Sequence, residues 1–143
     1  MGQPRHNRTF VWALVIAVFT MSVGIAAHHS VNAEFDASKN IAIVGTLTKV
    51  ELINPHGYVH FDVTGPDGKV TSWSFLTGAP IALKQAGISV RDTLKVGDTY
   101  KIVYSPARKG GNLGLLWSLV LPDGRFVAFG SANNVQAARE LSK

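Results

Sequence analysis

Four of the five histidines in this chain of 143 residues fall between positions 28 and 60. Imidazole binds transition metals and exchanges protons near neutral pH, so this crowding is where chemistry is to be sought. His28-His29-Ser30 follows directly on Ala26-Ala27. A cut after Ala27 would make His28 the first residue, with its free amine and ring nitrogen offered to one ion. Among divalent first-row metals Cu(II) binds such nitrogen ligands most tightly. The expected metal ligands are His28 and His56, with His29 or His60 completing the set. A cut after Ala26 would instead place His29 third, where amine, amide nitrogens and ring chelate Cu(II). A cut after Ala33 would remove both leading histidines and the metal argument with them.

A second constellation needs no metal. Tyr58, His60 and Asp62 alternate with Val59, Phe61 and Val63, and Ser72 and Ser74 alternate with Trp73 and Phe75. In strands, each set lines one face. Tyr58, His60, Ser72 and Ser74 would then line a groove, and Arg108-Lys109 would meet an anionic group beside it. Catalysis is not expected. The sequence contains no His-Glu-x-x-His, no Gly-x-Ser-x-Gly, no phosphate-binding glycine loop and no dinucleotide fingerprint.

The N-terminal 27 residues set the compartment. Arg5 and Arg8 precede an apolar run from Phe10 to Val23, and Gly24-Ile25-Ala26-Ala27 ends it with small residues. That is the layout of a signal peptide, and it implies a periplasmic or secreted protein. An uncleaved anchor is the alternative, since the apolar stretch sits near the lower length for spanning a bilayer. Removing residues 1–27 leaves 116, with 12 basic and 9 acidic side chains. The net charge falls from +5 to +3, and the basic residues are scattered singly apart from Arg108-Lys109. Nucleic acid wants a clustered basic stripe, so it is excluded as a partner. There is no cysteine, which rules out disulfides, thiolate metal sites and thiol nucleophiles. The expected partners are a metal ion, a small anionic ligand or another periplasmic protein.

The elements that position these residues read as β-strands. Residues 41–64 predict two strands around Asn54-Pro55-His56-Gly57, which has type I turn chemistry. The apolar parity of Ile41, Ile43 and Leu47 shifts to that of Val50 and Leu52, and Gly45 is the expected bulge. Gly65-Pro66-Asp67-Gly68 turns into a third strand over residues 70–76. Pro80 opens a short helix that Gly87 closes. Further strands are expected over 100–104, 113–121 and 126–129, separated by Arg108-Lys109-Gly110-Gly111 and Pro122-Asp123-Gly124. Val59, Phe61, Trp73, Phe75 and Trp117 are the expected core. Three strands, a short helix and two or three more strands is the order of an OB-type barrel. The domain reading is a signal peptide at 1–27, a leader at 28–40, a mainly β barrel of five or six strands at 41–130, and a flexible tail at 131–143.

His28-His29-Ser30, Ala33-Glu34-Phe35-Asp36, Gly45-Thr46-Leu47-Thr48-Lys49-Val50-Glu51 and Asn54-Pro55-His56 together resemble a family of small exported bacterial proteins of unknown function. The likeness continues through Gly78-Ala79-Pro80, Leu94-Lys95-Val96-Gly97-Asp98 and Leu121-Pro122-Asp123-Gly124-Arg125. Val31 and Leu52 stand where aromatics are expected, and Ile88 where a tryptophan is common. The resemblance implies export and a β-rich barrel, and no activity. His28, His29 and His56 match its pattern, whereas His60 does not clearly belong to it.

Overall fold

A computed structural model describes residues 31–53, 55–85, 88–129 and 132–143. The chain separates into two units, Met1–Glu34 and Phe35–Lys143. In the first, residues 31–34 are described and are helical. The signal peptide, its cleavage positions, His28 and His29 lie outside the described residues, as do Asn54 and Gly87.

The second unit contains strands β1 (Ile41–Leu52), β2 (Gly57–Thr64), β3 (Val70–Leu76), β4 (Thr99–Pro106), β5 (Leu113–Val120) and β6 (Phe126–Ala128). Helices α1 (Pro80–Gln85) and α2 (Val90–Thr93) lie between β3 and β4, and α3 (Ala132–Leu141) ends the chain. Neighbours run β3-β2-β1-β4-β5-β6, and a parallel β3–β5 pairing closes β1 to β5 into a barrel. The expected OB-type order is the one that forms, with β6 as an extra strand on β5. Closure rests on three residue pairs, Ser74–Leu113, Phe75–Gly114 and Leu76–Leu115.

β1 is long because its two halves pair with different neighbours in the sheet. Its first half, Ile41 to Thr46, pairs with β4, and Thr46 to Leu52 pairs with β2. The register slips between Leu47 and Lys49, so the bulge sits at Thr48 and not at Gly45. Gly45 answers a different demand. A Cβ there would lie 3.1 Å from the Asp62 carbonyl oxygen and 3.1 Å from Val63 Cγ2. The slip at Thr48 is what moves the buried parity from Leu47 to Val50 and turns Lys49 and Glu51 outward.

Both Pro-Asp-Gly turns are built alike. Gly68 N–H donates to the Gly65 carbonyl and Gly124 N–H to the Leu121 carbonyl, each at 2.9 Å. Both glycines have positive φ, +77° and +83°, which a side chain would oppose. The following residue donates its amide to the aspartate in each case, Lys69 to Asp67 at 3.1 Å and Arg125 to Asp123 at 3.0 Å.

The barrel interior holds Leu47, Val59, Phe61, Phe75, Tyr100, Ile102, Tyr104, Leu116 and Leu119, all buried. Phe61 meets Phe75 and Tyr100 edge-on at 5.8 Å, and Phe75 meets Tyr104 at 5.0 Å. Each ring buried in this way contributes about 1.5–3 kcal/mol over exposure. Trp73 packs on the rim of this cluster, partly buried.

Trp117 does not join it. Tyr104 pairs with Leu116 and Val103 with Ser118, so Trp117 is the extra residue at a slip in the β4–β5 register. The alternation that would have aimed it inward is broken there, and it packs with Val103 and Ala138 in a second cluster. Its indole N–H donates to Ser105 Oγ at 2.7 Å, and Ser105 donates to the Lys39 carbonyl at 2.9 Å.

Phe35, within the leader segment 28–40, is buried and bridges Ala107. Residues read as a flexible tail form α3, whose Ala138 is fully buried and whose Arg139 guanidinium lies 4.5 Å from the Phe126 ring centre.

Candidate ligand-binding face

The outer surface of β1, β2 and β3 carries the polar residues in rows. Thr46, Asp62 and Ser72 are cross-strand neighbours, and so are Lys49, His60 and Ser74. Glu51 lies opposite Tyr58. The two-residue period of β2 and β3 puts Tyr58, His60, Ser72 and Ser74 on this one face, as expected from their alternation with core residues.

His60 joins all three strands. Its Nδ1 is 2.9 Å from Ser74 Oγ on β3, and its Nε2 is 3.0 Å from Glu51 Oε2 on β1. Lys49 Nζ closes on Glu51 Oε1. The Lys49 hydrogen bond, and then that of His60, hold the Glu51 carboxyl below the usual carboxylate range. The Tyr58 and His60 rings stand side by side, centroids 6.3 Å apart and planes 24° apart. One row further, Ser72 Oγ donates to Asp62 Oδ1 at 2.7 Å. About a quarter of the His60 side chain is exposed, so the network opens to solvent.

Two loops border the face. The β1–β2 loop, residues 53–56, carries His56, half-buried next to Gly57. Gly57 ties the base of that loop to the end of β3, for Thr77 N–H donates to its carbonyl at 2.8 Å. The β4–β5 loop lies along β3. Ser74 N–H donates to the Asn112 carbonyl at 2.9 Å, and Asn112 Nδ2 to the Ser72 carbonyl at 3.1 Å. Arg108 and Lys109 sit on this loop. An Arg108 Nη2 lies 3.9 Å from Asp36 Oδ1, and Asp36 N–H donates to the Pro106 carbonyl at 2.9 Å.

Of the four histidines expected as metal ligands, two, His56 and His60, are described. Both ring nitrogens of His60 are engaged by protein groups. Among the described residues no group of three or more His, Asp or Glu is arranged to hold a metal ion. Glu51 and Lys49 also belong to the face, and the shift in apolar parity to Val50 and Leu52 is the trace in the sequence that both point outward. Asn112 had no such signal, because it reaches β3 only through the parallel closure.

A small cavity of about 180 Å³ lies elsewhere, between α2, the turn before β4 and the β5–β6 turn, lined by Asp92, Lys95, Asp98, Asp123 and Arg125. Drug-sized ligands occupy several hundred Å³, so this volume is small for one. Among the described residues no helix is long and apolar enough to cross a membrane.

A family model, DUF6152, described as a family of unknown function, matches residues 16–116. That span covers most of the chain, from before the first described residue to the middle of β5, and the chain belongs to this family. No curated protein matches it.

Proposed function

We propose that this protein is an exported, non-catalytic binding module that seats a small anionic ligand or a partner's acidic group on the outer face of β1, β2 and β3. The observation that carries the reading is the Lys49–Glu51–His60–Ser74 network. It fixes polar side chains from three strands before any ligand arrives, which lowers the ordering cost of binding. OB-type barrels use this same face with the loops that border it. Here those loops bring His56 on one side and Arg108, Lys109 and Asn112 on the other.

The test is titration of the isotope-labelled mature protein with inorganic anions, acidic peptides and short neutral oligosaccharides, followed by amide shifts. The reading expects shifts at residues 58–62, 72–74 and 108–112 with at least one acidic probe. Shifts confined to other surfaces, or none with any class, would overturn it.

Copper at the mature N-terminus is a separate proposal, supported by the sequence Ala26-Ala27-His28-His29. Intact mass of exported material would show a start at His28 or Ala27, and Cu(II) titration would show tight binding lost in His28→Ala, or in His29→Ala if Ala27 comes first. A start at Glu34, or equal binding by parent and variants, sinks it.

A further inference from the structure

β3 is paired along one edge for its whole length and along the other only at its end. On the β2 side the register runs from Val70 to Leu76, whereas β5 meets it at Ser74, Phe75 and Leu76 alone. The loop before β5 adds one more rung. The Asn112 carbonyl accepts the Ser74 N–H at 2.9 Å, and Asn112 Nδ2 donates to the Ser72 carbonyl at 3.1 Å. There the ladder stops. Gly110 and Gly111 both have positive φ, and Gly110 N–H donates back to the Ala107 carbonyl, so the loop closes on β4.

Those two bonds fix which backbone groups are left over. The N–H and C=O of one strand residue point to the same edge, and successive residues alternate. Ser74 and Ser72 face the β5 side, so Val70 faces it too, while Thr71 and Trp73 face β2. The Ser72 N–H and both backbone groups of Val70 therefore meet no strand among the described residues. Val70 is 56% exposed, and Ser72 is exposed as well. Unpaired groups at strand spacing are a template for another strand.

We infer that the first half of β3 takes an extended segment of another protein as an added strand, one that alternates basic and apolar residues. The backbone groups call for a strand, and the side chains beside them set its pattern. On the outer side, Thr46, Asp62 and Ser72 form one cross-strand row that an added residue would extend. Asp62 accepts the Ser72 hydroxyl at 2.7 Å, and no ion pair among the described residues neutralises it. Strands lie about 4.8 Å apart, so a lysine or arginine one strand beyond Ser72 reaches over the small serine to that carboxylate. On the inner side, the added strand lies beside Thr71. Thr71 Oγ1 accepts the Trp73 indole N–H at 3.1 Å, and that partly buried ring stacks on Phe75. An apolar side chain suits this position. The inference goes beyond the anion reading and stands without it, since Lys49, Glu51 and His60 take no part.

The probe is a capped hexapeptide alternating lysine and valine, with the glutamate–valine peptide as its counterpart. In the isotope-labelled protein the lysine peptide should shift the Val70 and Ser72 amides and slow their hydrogen exchange. The glutamate peptide should bind several-fold more weakly, the scale of an exposed ion pair. Val70→Pro removes one outward N–H at the first residue of the strand, where an edge accepts proline. It should weaken binding by about five- to tenfold, the value of one hydrogen bond. Asp62→Asn keeps an acceptor for Ser72 and should bring the two peptides level. Circular dichroism checks that both variants stay folded, and Asp62→Asn decides alone if Val70→Pro disturbs the strands. No binding of either peptide, equal binding of both by the parent, or fast exchange kept at Val70 and Ser72 would each overturn the added strand. So would unchanged binding in a folded Val70→Pro, or a preference for lysine that survives Asp62→Asn. Sedimentation as a dimer with the same two amides protected would overturn it too, because a second copy would then hold the edge.

Discussion

At Gly114 the whole closure of the barrel depends on the absence of one methyl group. The residue sits in β5 opposite Phe75 of β3 and Pro106 of β4. A Cβ there would collide with Tyr104 Cδ2 and lie 3.1 Å from Phe75 Cδ1. Neither ring can retreat, since both are packed in the core and Phe75 is fully buried. Gly114→Ala should therefore destabilise the protein by about 1–3 kcal/mol, the usual cost of overpacking. Urea or thermal unfolding measures it, and an unchanged midpoint would mean that the rings have room the structure denies them. Nothing local in the sequence marks this glycine, because its constraint comes from strands about 40 and 10 residues away. The polar face was different. Tyr58, His60, Ser72 and Ser74 could be placed together from alternation alone, since a period of two is enforced by the pleat. What alternation could not supply was register, and it is register that sets Glu51 and Ser74 on either side of His60.

At the scale of elements, the strand ends and turns followed from Gly, Pro and Asp positions, which impose local geometry whatever the rest of the chain does. β5 shows where such reasoning stops. An unbroken alternation would send Trp117 inward with Phe75, but the slip opposite Val103 and Tyr104 turns it to the outside. A bulge is a compromise between two strands and leaves little trace in either one. The same indole then gives α3 a surface to dock on, and this is why residues 132–141 hold a helix with weak amphipathic character. One substitution and one truncation separate the two clusters. Phe75→Ala removes a fully buried ring from the barrel interior and should cost about 3–5 kcal/mol. A chain ending at Gly130 loses α3 and uncovers Trp117, which is 9% exposed in the intact protein. Its tryptophan emission should shift to the red while far-ultraviolet circular dichroism keeps its strand signature. Loss of all strand signal in the truncated chain would show that α3 is part of the barrel's own stability.

Across the whole molecule, acidic and phenolic groups set opposite pH limits for different reasons. Asp36, Glu51 and Asp123 all titrate below the usual carboxylate range, drawn down first by Ser38, Lys49 and the Arg125 amide respectively. Depressed values contribute stability above the unfolded pKa of about 4 and lose it as pH falls through the folded values. Asp123 is exposed, and Asp36 and Glu51 are partly open to solvent that screens them, so the acid limit should be gradual. Tyr100 and Tyr104 lie in the one core cluster, and burial pushes both phenols up. A raised value works in the other sense. Its stability is complete below the unfolded phenol pKa of about 10 and is lost as pH rises, because the unfolded chain ionises while the folded one resists. Both phenols pack against Phe61 or Phe75, so neither can ionise without opening the same core. Alkaline unfolding should thus be cooperative, with tyrosinate absorbance and loss of circular dichroism rising together. Measured in a Tyr58→Phe background, which removes the tyrosine of the outer face, the absorbance reports the core alone. Tyr104→Phe should move the transition to higher pH, since burial is the sole cause of its shift. Tyr100→Phe tests less cleanly, because the Lys95 amide donates to its hydroxyl at 2.8 Å and would be left without that acceptor. If both phenols ionise near pH 10 with the strand signal intact, the core admits water, and the closed barrel is looser than three parallel pairs between β3 and β5 imply.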